Sequence, residues 1–233
     1  LEGLNGLQFV VNLRLENTDI TNLIGLENLD TVLFLMNMYG NDRLKDLTGL
    51  GGLKDVFGLF ITECDSFQSF SGLHSLRHME ALALDYNQAL VNLAGFPNID
   101  TIRQIYIAYN ENLTDLTGLE SLTHLDFELQ ILHNPKLTSL QGLNFLEEVG
   151  IIEIVNNPGL LNFSGLDAVK SVRNKIVIQE NSGLISLTGM NNIPSIPQDF
   201  EIRGNIALQS LDGLNALTTI GGHFQLAGGP HLS

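Results

Sequence analysis

Apolar residues recur along this chain in a unit of 22 to 24 residues rather than at the spacing of a helix. In each unit two apolar residues at a spacing of two precede a polar residue, as Ile105 and Ile107 precede Asn110. This alternation predicts a short strand with one buried face. Further apolar residues follow at intervals of three, which fits irregular or short 3₁₀ segments better than a 3.6-residue helix. We therefore predict stacked coils whose strands form a parallel sheet.

Two columns of the repeat fix its period. Glycine before a large apolar residue recurs at Gly3, Gly25, Gly49, Gly72, Gly95, Gly118, Gly142, Gly165, Gly189 and Gly213. Eight positions before each glycine from Gly25 onward lie Asn17, Asn41, Cys64, Asn87, Asn110, Asn134, Asn157, Asn181 and Asn205. A glycine column indicates a tight corner with positive φ or a close approach of the neighbouring coil. A buried asparagine column indicates a ladder that satisfies backbone groups, with Cys64 as a structural substitute rather than a reactive thiol.

The first unit is irregular. Leu13 and Leu15 lie one position too close to Asn17 for the pattern of the other units. The step from Gly3 to Gly25 is also the short one, at 22 residues. We interpret this as a deletion of one residue, and we still expect Asn17 to belong to the ladder.

The repeat L-x-L-x-x-N-x-x-L-x-x-L-x-G-L resembles the leucine-rich repeat family over nearly the whole chain. Within that family, the segment from Leu217 to Leu226, with Gly221 and Gly222, is similar to the receptor L-domain subtype. The resemblance implies a right-handed β-solenoid of about ten coils, and we expect one such solenoid over residues 1–233. It also implies a role in protein binding or cell adhesion.

Residues that the repeat does not explain are the candidates for function. All four tyrosines fall at outward strand positions or at strand exits in four consecutive units, together with Phe60 and Asp85. Tyrosine presents a rigid amphipathic surface and is enriched in interface hot spots. The predicted binding surface for a protein or glycan therefore consists of Tyr39, Phe60, Asp85, Tyr86, Tyr106 and Tyr109. The alternative is that these aromatic residues only pair across strands.

Charge narrows the range of partners. The 233 residues include 26 acidic and 11 basic side chains, for a net charge of −15, which argues against nucleic acid. No apolar run is long enough to cross a bilayer, so we predict no membrane insertion.

Asp42 and Asp65 occupy the same column and should be neighbours. Calcium could bridge them, but a solvated acidic edge is the favoured interpretation, and we predict no metal site.

No catalytic or cofactor-binding constellation is present in the sequence. A single cysteine excludes an internal disulfide and a multi-cysteine zinc site. No glycine-rich phosphate loop follows a strand. The histidines lie in different columns of the repeat, at His74, His78, His124, His133, His223 and His231. We therefore predict a protein that is not an enzyme and has no cofactor.

Location and assembly follow from weaker signals. Asn112 and Asn162 begin glycosylation sequons, which favour a secreted or cell-surface protein. The chain begins within a repeat, so we expect a segment of a longer protein, with further repeats or copies of itself as possible partners at its uncapped ends. The leading hypothesis is an extracellular recognition or adhesion module. A structural spacer or filament unit and a cytoplasmic scaffold are the alternatives.

Overall fold

The computed structural model describes residues 1–229, which form fourteen β-strands connected by turns. His231 lies outside the described residues. The strands are β1 (Phe9–Val10), β2 (Leu13–Glu16), β3 (Thr31–Tyr39), β4 (Asp55–Thr62), β5 (His78–Asp85), β6 (Thr101–Ala108), β7 (His124–Leu132), β8 (Glu148–Val155), β9 (Ser171–Val172), β10 (Ile176–Gln179), β11 (Ser195–Ile196), β12 (Phe200–Arg203), β13 (Thr219–Ile220) and β14 (Phe224–Ala227).

One parallel sheet runs the length of the described chain. Its strand order is β1-β3-β4-β5-β6-β7-β8-β10-β12-β14, with β2 beside β3 and β9 beside β8. Strands β11 and β13 form a separate parallel pair. Equivalent residues of successive coils are hydrogen-bonded neighbours, as Leu82, Ile105 and Leu129 are. The predicted β-solenoid of about ten coils with a parallel sheet is therefore confirmed.

The apolar columns form a continuous core inside the coils. In one coil Leu113, Leu116, Leu119 and Leu122 are all buried. The N–H of Leu119 donates to the carbonyl of Leu116 (3.2 Å), and the N–H of Leu122 donates to that of Leu119 (2.9 Å). These consecutive i to i+3 bonds turn every third side chain inward, which explains the three-residue spacing without a helix.

The glycine corners combine both predicted constraints. Gly118 has φ +119°, and a Cβ on it would lie 2.0 Å from the carbonyl oxygen of Leu93 in the preceding coil. An L side chain would therefore be strained by the backbone and would also collide with a neighbouring coil. The coil spacing is tight because this corner has no side chain.

A buried ladder of amides joins each coil to the next. The Oδ1 atom of Asn134 accepts from the N–H of Asn110 (3.0 Å), while its Nδ2 donates to the carbonyls of Ile107 (3.1 Å) and Leu132 (3.0 Å). The other buried members repeat the coil-to-coil bonds at Asn41, Asn87, Asn110, Asn157, Asn181 and Asn205. Three backbone groups that would otherwise be buried without partners are satisfied by one side chain.

The structure of the first coil differs from the predicted ladder at one position. Strands β2 and β3 pair Leu15 with Met38, so Asn17 lies opposite Gly40 and is exposed, with φ +52°. The ladder position belongs to Thr18, whose N–H donates to Oδ1 of Asn41 (3.0 Å). The assignment of Asn17 to the ladder is therefore wrong. The inward leucines set the strand register, so the one-residue deletion falls between Thr18 and Ile20 instead of in the strand.

Candidate functional site

Ten of the twelve strands of the main sheet, all except β1 and β9, are followed by a residue with a left-handed backbone, directly before the ladder position. We call these residues the strand-exit column, and φ lies between 52° and 67° at every member. Its members are Asn17, Gly40, Glu63, Tyr86, Tyr109, His133, Asn156, Glu180, Gly204 and Gly228. The sequence did not reveal this conformation, because only glycine at three of the ten positions hints at it. The fold thus requires a backbone conformation here but not a residue type.

Three rings of this column form a parallel stack along the solenoid. Tyr86 and Tyr109 stack with centroids 4.6 Å apart and planes inclined by 4°, and Tyr109 and His133 stack at 4.5 Å and 6°. Nδ2 of Asn156 donates to Nδ1 of His133 (2.7 Å) at the far end. Each inner ring face is covered by the next ring. No further ring of residues 1–229 stacks on Tyr86, so its outer face, on the side of the coil that contains Glu63, is the open face of this aromatic stack.

Two carboxylates lie beside that open face. The hydroxyl of Thr62 donates to Oδ1 of Asp85 (2.7 Å), and Asp85 is half-buried. Burial raises the pKa of Asp85, and the charge of Glu63 raises it further. Glu63 also raises the pKa of Tyr39 by accepting a hydrogen bond from its hydroxyl. Within residues 1–229 neither Glu63 nor Asp85 pairs with a lysine or arginine.

The structure brings four of the six predicted surface residues close together. Tyr86 stacks on Tyr109, and the pairing of β5 with β6 places Tyr106 beside Ala83, two residues before Asp85. Burial raises the pKa of Tyr106, and the charge of Asp85 raises it further. The register places Asp85 beside Ala108, an outward residue that is fully buried under its neighbours. Ala83 and Ala108 are thus the small outward residues beside Tyr106 and Asp85.

The other two predicted residues lie toward the start of the solenoid. Phe60 is in the same outward column as Tyr106, with Ala83 between them. Its ring leans over Gly58, where an added Cβ would lie 3.2 Å from Cε1 of Phe60. Tyr39 is two coils before Asp85 and is connected to it through Glu63. Tyr39 therefore extends the surface, whereas Phe60 is partly committed to packing on the sheet.

A groove of about 300 Å³ runs along one side of the aromatic stack. The ring edges form one wall and a row of turn residues forms the other. Its lining residues are Tyr109, Glu111, His133, Pro135, Asn156 and Pro158. The groove offers ring edges and polar atoms rather than ring faces.

A polar column that the sequence analysis missed accounts for one predicted glycosylation residue. Five positions after each ladder position, or four after Thr18 in the shortened first coil, lies an asparagine, aspartate or serine whose side-chain oxygen accepts the N–H two residues ahead. Asn162 does so with Ser164 (2.9 Å). The column consists of Asn22, Asp46, Ser69, Asn92, Asp115, Ser139, Asn162, Ser186 and Ser210. The signal was present in the sequence as a ninefold repeat of turn-forming residues.

Asn112, the other predicted glycosylation residue, is held between coils. Its Nδ2 donates to the carbonyl of Gln88 (2.8 Å), and Nζ of Lys136 donates to its Oδ1 (2.6 Å). Attachment of a glycan at this nitrogen would disturb a contact between neighbouring coils. Glycosylation remains a prediction, and the geometry favours Asn162 over Asn112.

The remaining reactive groups do not converge. Cys64 is buried, and burial raises the pKa of its thiol to about 11, so the nucleophilic thiolate is disfavoured. Within the described residues, no three His, Cys, Asp or Glu side chains are close enough to hold a metal ion, and this includes Asp42 and Asp65. None of residues 1–229 forms a helix with the length and hydropathy needed to span a bilayer.

Comparison with known proteins gives only faint likeness to solved structures. No protein-family model matches the chain, and no curated protein matches it. A solved structure of a leucine-rich cell surface protein from Faecalibacterium prausnitzii A2-165 is 11% identical, over 91% of this chain and 79% of that chain, with a TM-score of 0.22. This likeness is too low to support an argument. The class of fold, a β-solenoid with leucine-rich coils, therefore rests on the strand register and the ladder.

Proposed function

We propose that the protein is a non-catalytic recognition module, outside the cell or on its surface, that binds a protein or glycan on the outward face of its sheet. The observation that carries the proposal is the aromatic stack at left-handed positions. Glycine fills the same column at Gly40 and Gly204. The left-handed conformation costs an L-residue about 1 to 2 kcal/mol. Glycine adopts this conformation without that cost, so the left-handed backbone does not itself call for rings here.

Sheet propensity does not account for the stack either. Tyr86 and Tyr109 follow the last residues of β5 and β6, outside the extended region in which aromatic residues favour strands. Rigid tyrosines, an adjacent groove and a carboxylate are features of interface hot spots. Their concentration on one wall of the solenoid supports recognition as its role.

The test removes the rings without disturbing the fold. Glycine replaces Tyr86 and Tyr109, which are left-handed, and alanine replaces Tyr106, which lies in β6. Binding of this variant and of the wild type is measured against a panel of extracellular proteins and a glycan array. We expect at least a tenfold loss for the ligand identified, since several hot-spot residues are removed together.

A matched control removes apolar side chains from another exposed column. The residues are Val91, Leu161 and Ile185, each changed to alanine. We expect wild-type binding from this control. Equal binding by the stack variant and the wild type would overturn the proposal.

A further inference from the structure

The aromatic stack has one end at which another planar group can continue it. Asn156 donates to Nδ1 at the edge of the His133 ring, whereas Tyr86 is 41% exposed and no second aromatic ring of residues 1–229 stacks on it. Successive coils of a parallel sheet are about 4.8 Å apart. The strand-exit residue one coil before Tyr86 is Glu63, whose exposed side chain has no ring to continue the stack. A planar group stacked on Tyr86 would lie beside the Glu63 carboxylate.

The charges around this place are negative and are not neutralised by a neighbour. Glu63 and Asp85 lie in neighbouring coils, and the N–H of Glu63 donates to the carbonyl of Asp85 (3.0 Å). Neither forms an ion pair with a lysine or arginine within the described chain. A cation between the two carboxylates would remove their repulsion and would also meet the negative face of the Tyr86 ring.

The wider sheet face has the same sign. From Asn37 to Glu180, the outward positions two and four residues before the ladder, together with the strand exits, include four acidic residues but no lysine or arginine, whereas Arg103 lies farther from the strand ends, at the ring of Phe127. The acidic residues are Glu63, Asp85, Glu153 and Glu180. An anionic sugar would be repelled by this face, and a neutral sugar would gain nothing from its carboxylate charges. Charge complementarity thus favours a basic segment of a protein.

Resting on the proposed recognition role, we propose that the open end of the aromatic stack binds the guanidinium of an arginine in a protein partner. The guanidinium stacks on Tyr86 and pairs with Glu63 and Asp85. Arginine is preferred to lysine because its guanidinium is planar, stacks on aromatic rings and forms paired hydrogen bonds with a carboxylate. The site therefore selects basic extended segments from among possible protein ligands.

The experiment titrates the ¹⁵N-labelled protein with an acetylated, amidated peptide of alternating glycine and arginine. The same peptide with citrulline, which is planar but uncharged, and the same peptide with lysine serve as comparisons. We expect saturable amide shifts at Thr62, Glu63, Asp85 and Tyr86. We expect the citrulline peptide to bind at least about tenfold more weakly and the lysine peptide about threefold more weakly.

Two glutamates of the same column give a matched pair of variants. Glu63→Gln and Glu180→Gln remove the same charge from left-handed positions, with φ +52° and +57°. We expect Glu63→Gln to weaken arginine-peptide binding about fivefold and Glu180→Gln less than twofold. Equal losses would mean that net charge alone attracts the peptide and would overturn the site.

Two further results would overturn the arginine site without touching the broader proposal. One is that a protein or glycan ligand is found whose binding depends on the tyrosines, while the arginine peptide causes no amide shifts at these residues. The other is equal binding of the lysine and arginine peptides. Failure of the broader proposal is read separately, from a ligand whose binding does not depend on Tyr86, Tyr106 and Tyr109.

Discussion

The asparagine ladder and the strand-exit column are adjacent along the chain, yet they vary in opposite ways. The ladder keeps one residue type in seven coils, and its side chains are buried. The strand-exit column keeps one backbone conformation and admits asparagine, glycine, glutamate, tyrosine and histidine. The ladder side chains satisfy backbone groups of the neighbouring coil, whereas those of the strand-exit column face outward. The fold thus uses the chemistry of one column and only the conformation of the next.

This difference teaches where the solenoid can carry function without losing its structure. A ladder residue cannot change without leaving buried polar groups unpaired. A strand-exit residue can be any side chain that tolerates positive φ, at a modest cost in stability. A row of outward side chains at the coil spacing is then available for stacking, and Tyr86, Tyr109 and His133 use it in this way.

The adjacent pair Asn156 and Asn157 gives the largest expected contrast. Asn157→Ala removes the acceptor of the Asn134 N–H (3.0 Å) and the donor to the carbonyls of Ile131 (2.9 Å) and Val155 (3.1 Å). We expect a loss of about 3 to 5 kcal/mol in the free energy of unfolding, because three backbone groups lose their partner. Urea denaturation followed by far-ultraviolet circular dichroism measures it.

The control for this prediction is Asn156→Gly in the same coil. Asn156 has φ +54° and a partly exposed side chain. Glycine adopts that conformation freely, so we expect a change below about 1 kcal/mol. Similar losses at the two positions would contradict the distinction between the columns.

The second prediction compares alanine with glycine at two tyrosines. At Tyr109, with φ +56°, we expect Tyr109→Gly to be more stable than Tyr109→Ala by about 1 kcal/mol, because only alanine is strained there. At Tyr106, within β6, we expect the reverse order by about 0.5 to 1 kcal/mol. Chemical denaturation of the four variants gives both differences. The same order at both sites would show that the left-handed backbone does not govern the strand-exit column.

The third prediction concerns Cys64, which interrupts the ladder. Its sulfur lies 3.6 Å from the carbonyl of Met38 and 3.5 Å from that of Thr62, the two groups that an asparagine amide would bind. It offers no amide oxygen to the N–H of Asn41. We expect Cys64→Asn to stabilise the fold by about 1 kcal/mol through these added hydrogen bonds.

Cys64→Ala is the control, because it removes the sulfur and adds no polar group. We expect it to be less stable than the wild type in the same thermal and urea denaturation measurements. A destabilised Cys64→Asn would indicate that Phe67 and Phe70, which are larger than the leucines of other coils, have taken the space of the amide.

Much of this architecture could be predicted from the sequence, because buried positions repeat in residue type. The leucine column fills the core, the glycine column forms the tight corners and the asparagine column pairs with backbone groups, so the coils and the parallel sheet could be predicted from them. Asn17 was assigned to the ladder by counting back from Gly25, and this count does not show where in the coil the deletion lies. The pairing of Leu15 with Met38 does show it. Strand register is a property of two coils and is absent from a single unit.

The candidate site was predictable as a set of residues but not as an arrangement. Tyr86 and Tyr109 stand out because they lie outside the repeat, whereas His133 looked like an isolated histidine. Its place in the stack depends on the left-handed backbone that aligns the three rings. The strand-exit column shares a backbone conformation but no residue type, so the sequence has no pattern from which the stack could be predicted.

The smallest expected effect is the pH dependence at Asp85. Burial raises the pKa of Asp85 above its value of 3.8 in an unfolded chain, so the folded protein holds the proton more tightly. Ionisation of Asp85 therefore disfavours the fold at neutral pH, and protonation removes this penalty as pH falls through the raised pKa.

Asp85→Asn keeps an acceptor for the Thr62 hydroxyl and does not titrate. We expect this variant to be more stable than the wild type at pH 7 and to lose that advantage as the pH approaches 3.8, as measured by urea denaturation across this range. Asp65→Asn, at an exposed turn, controls for net charge, and an equal stability gain in it would assign the effect to overall repulsion rather than to the surface around Tyr86.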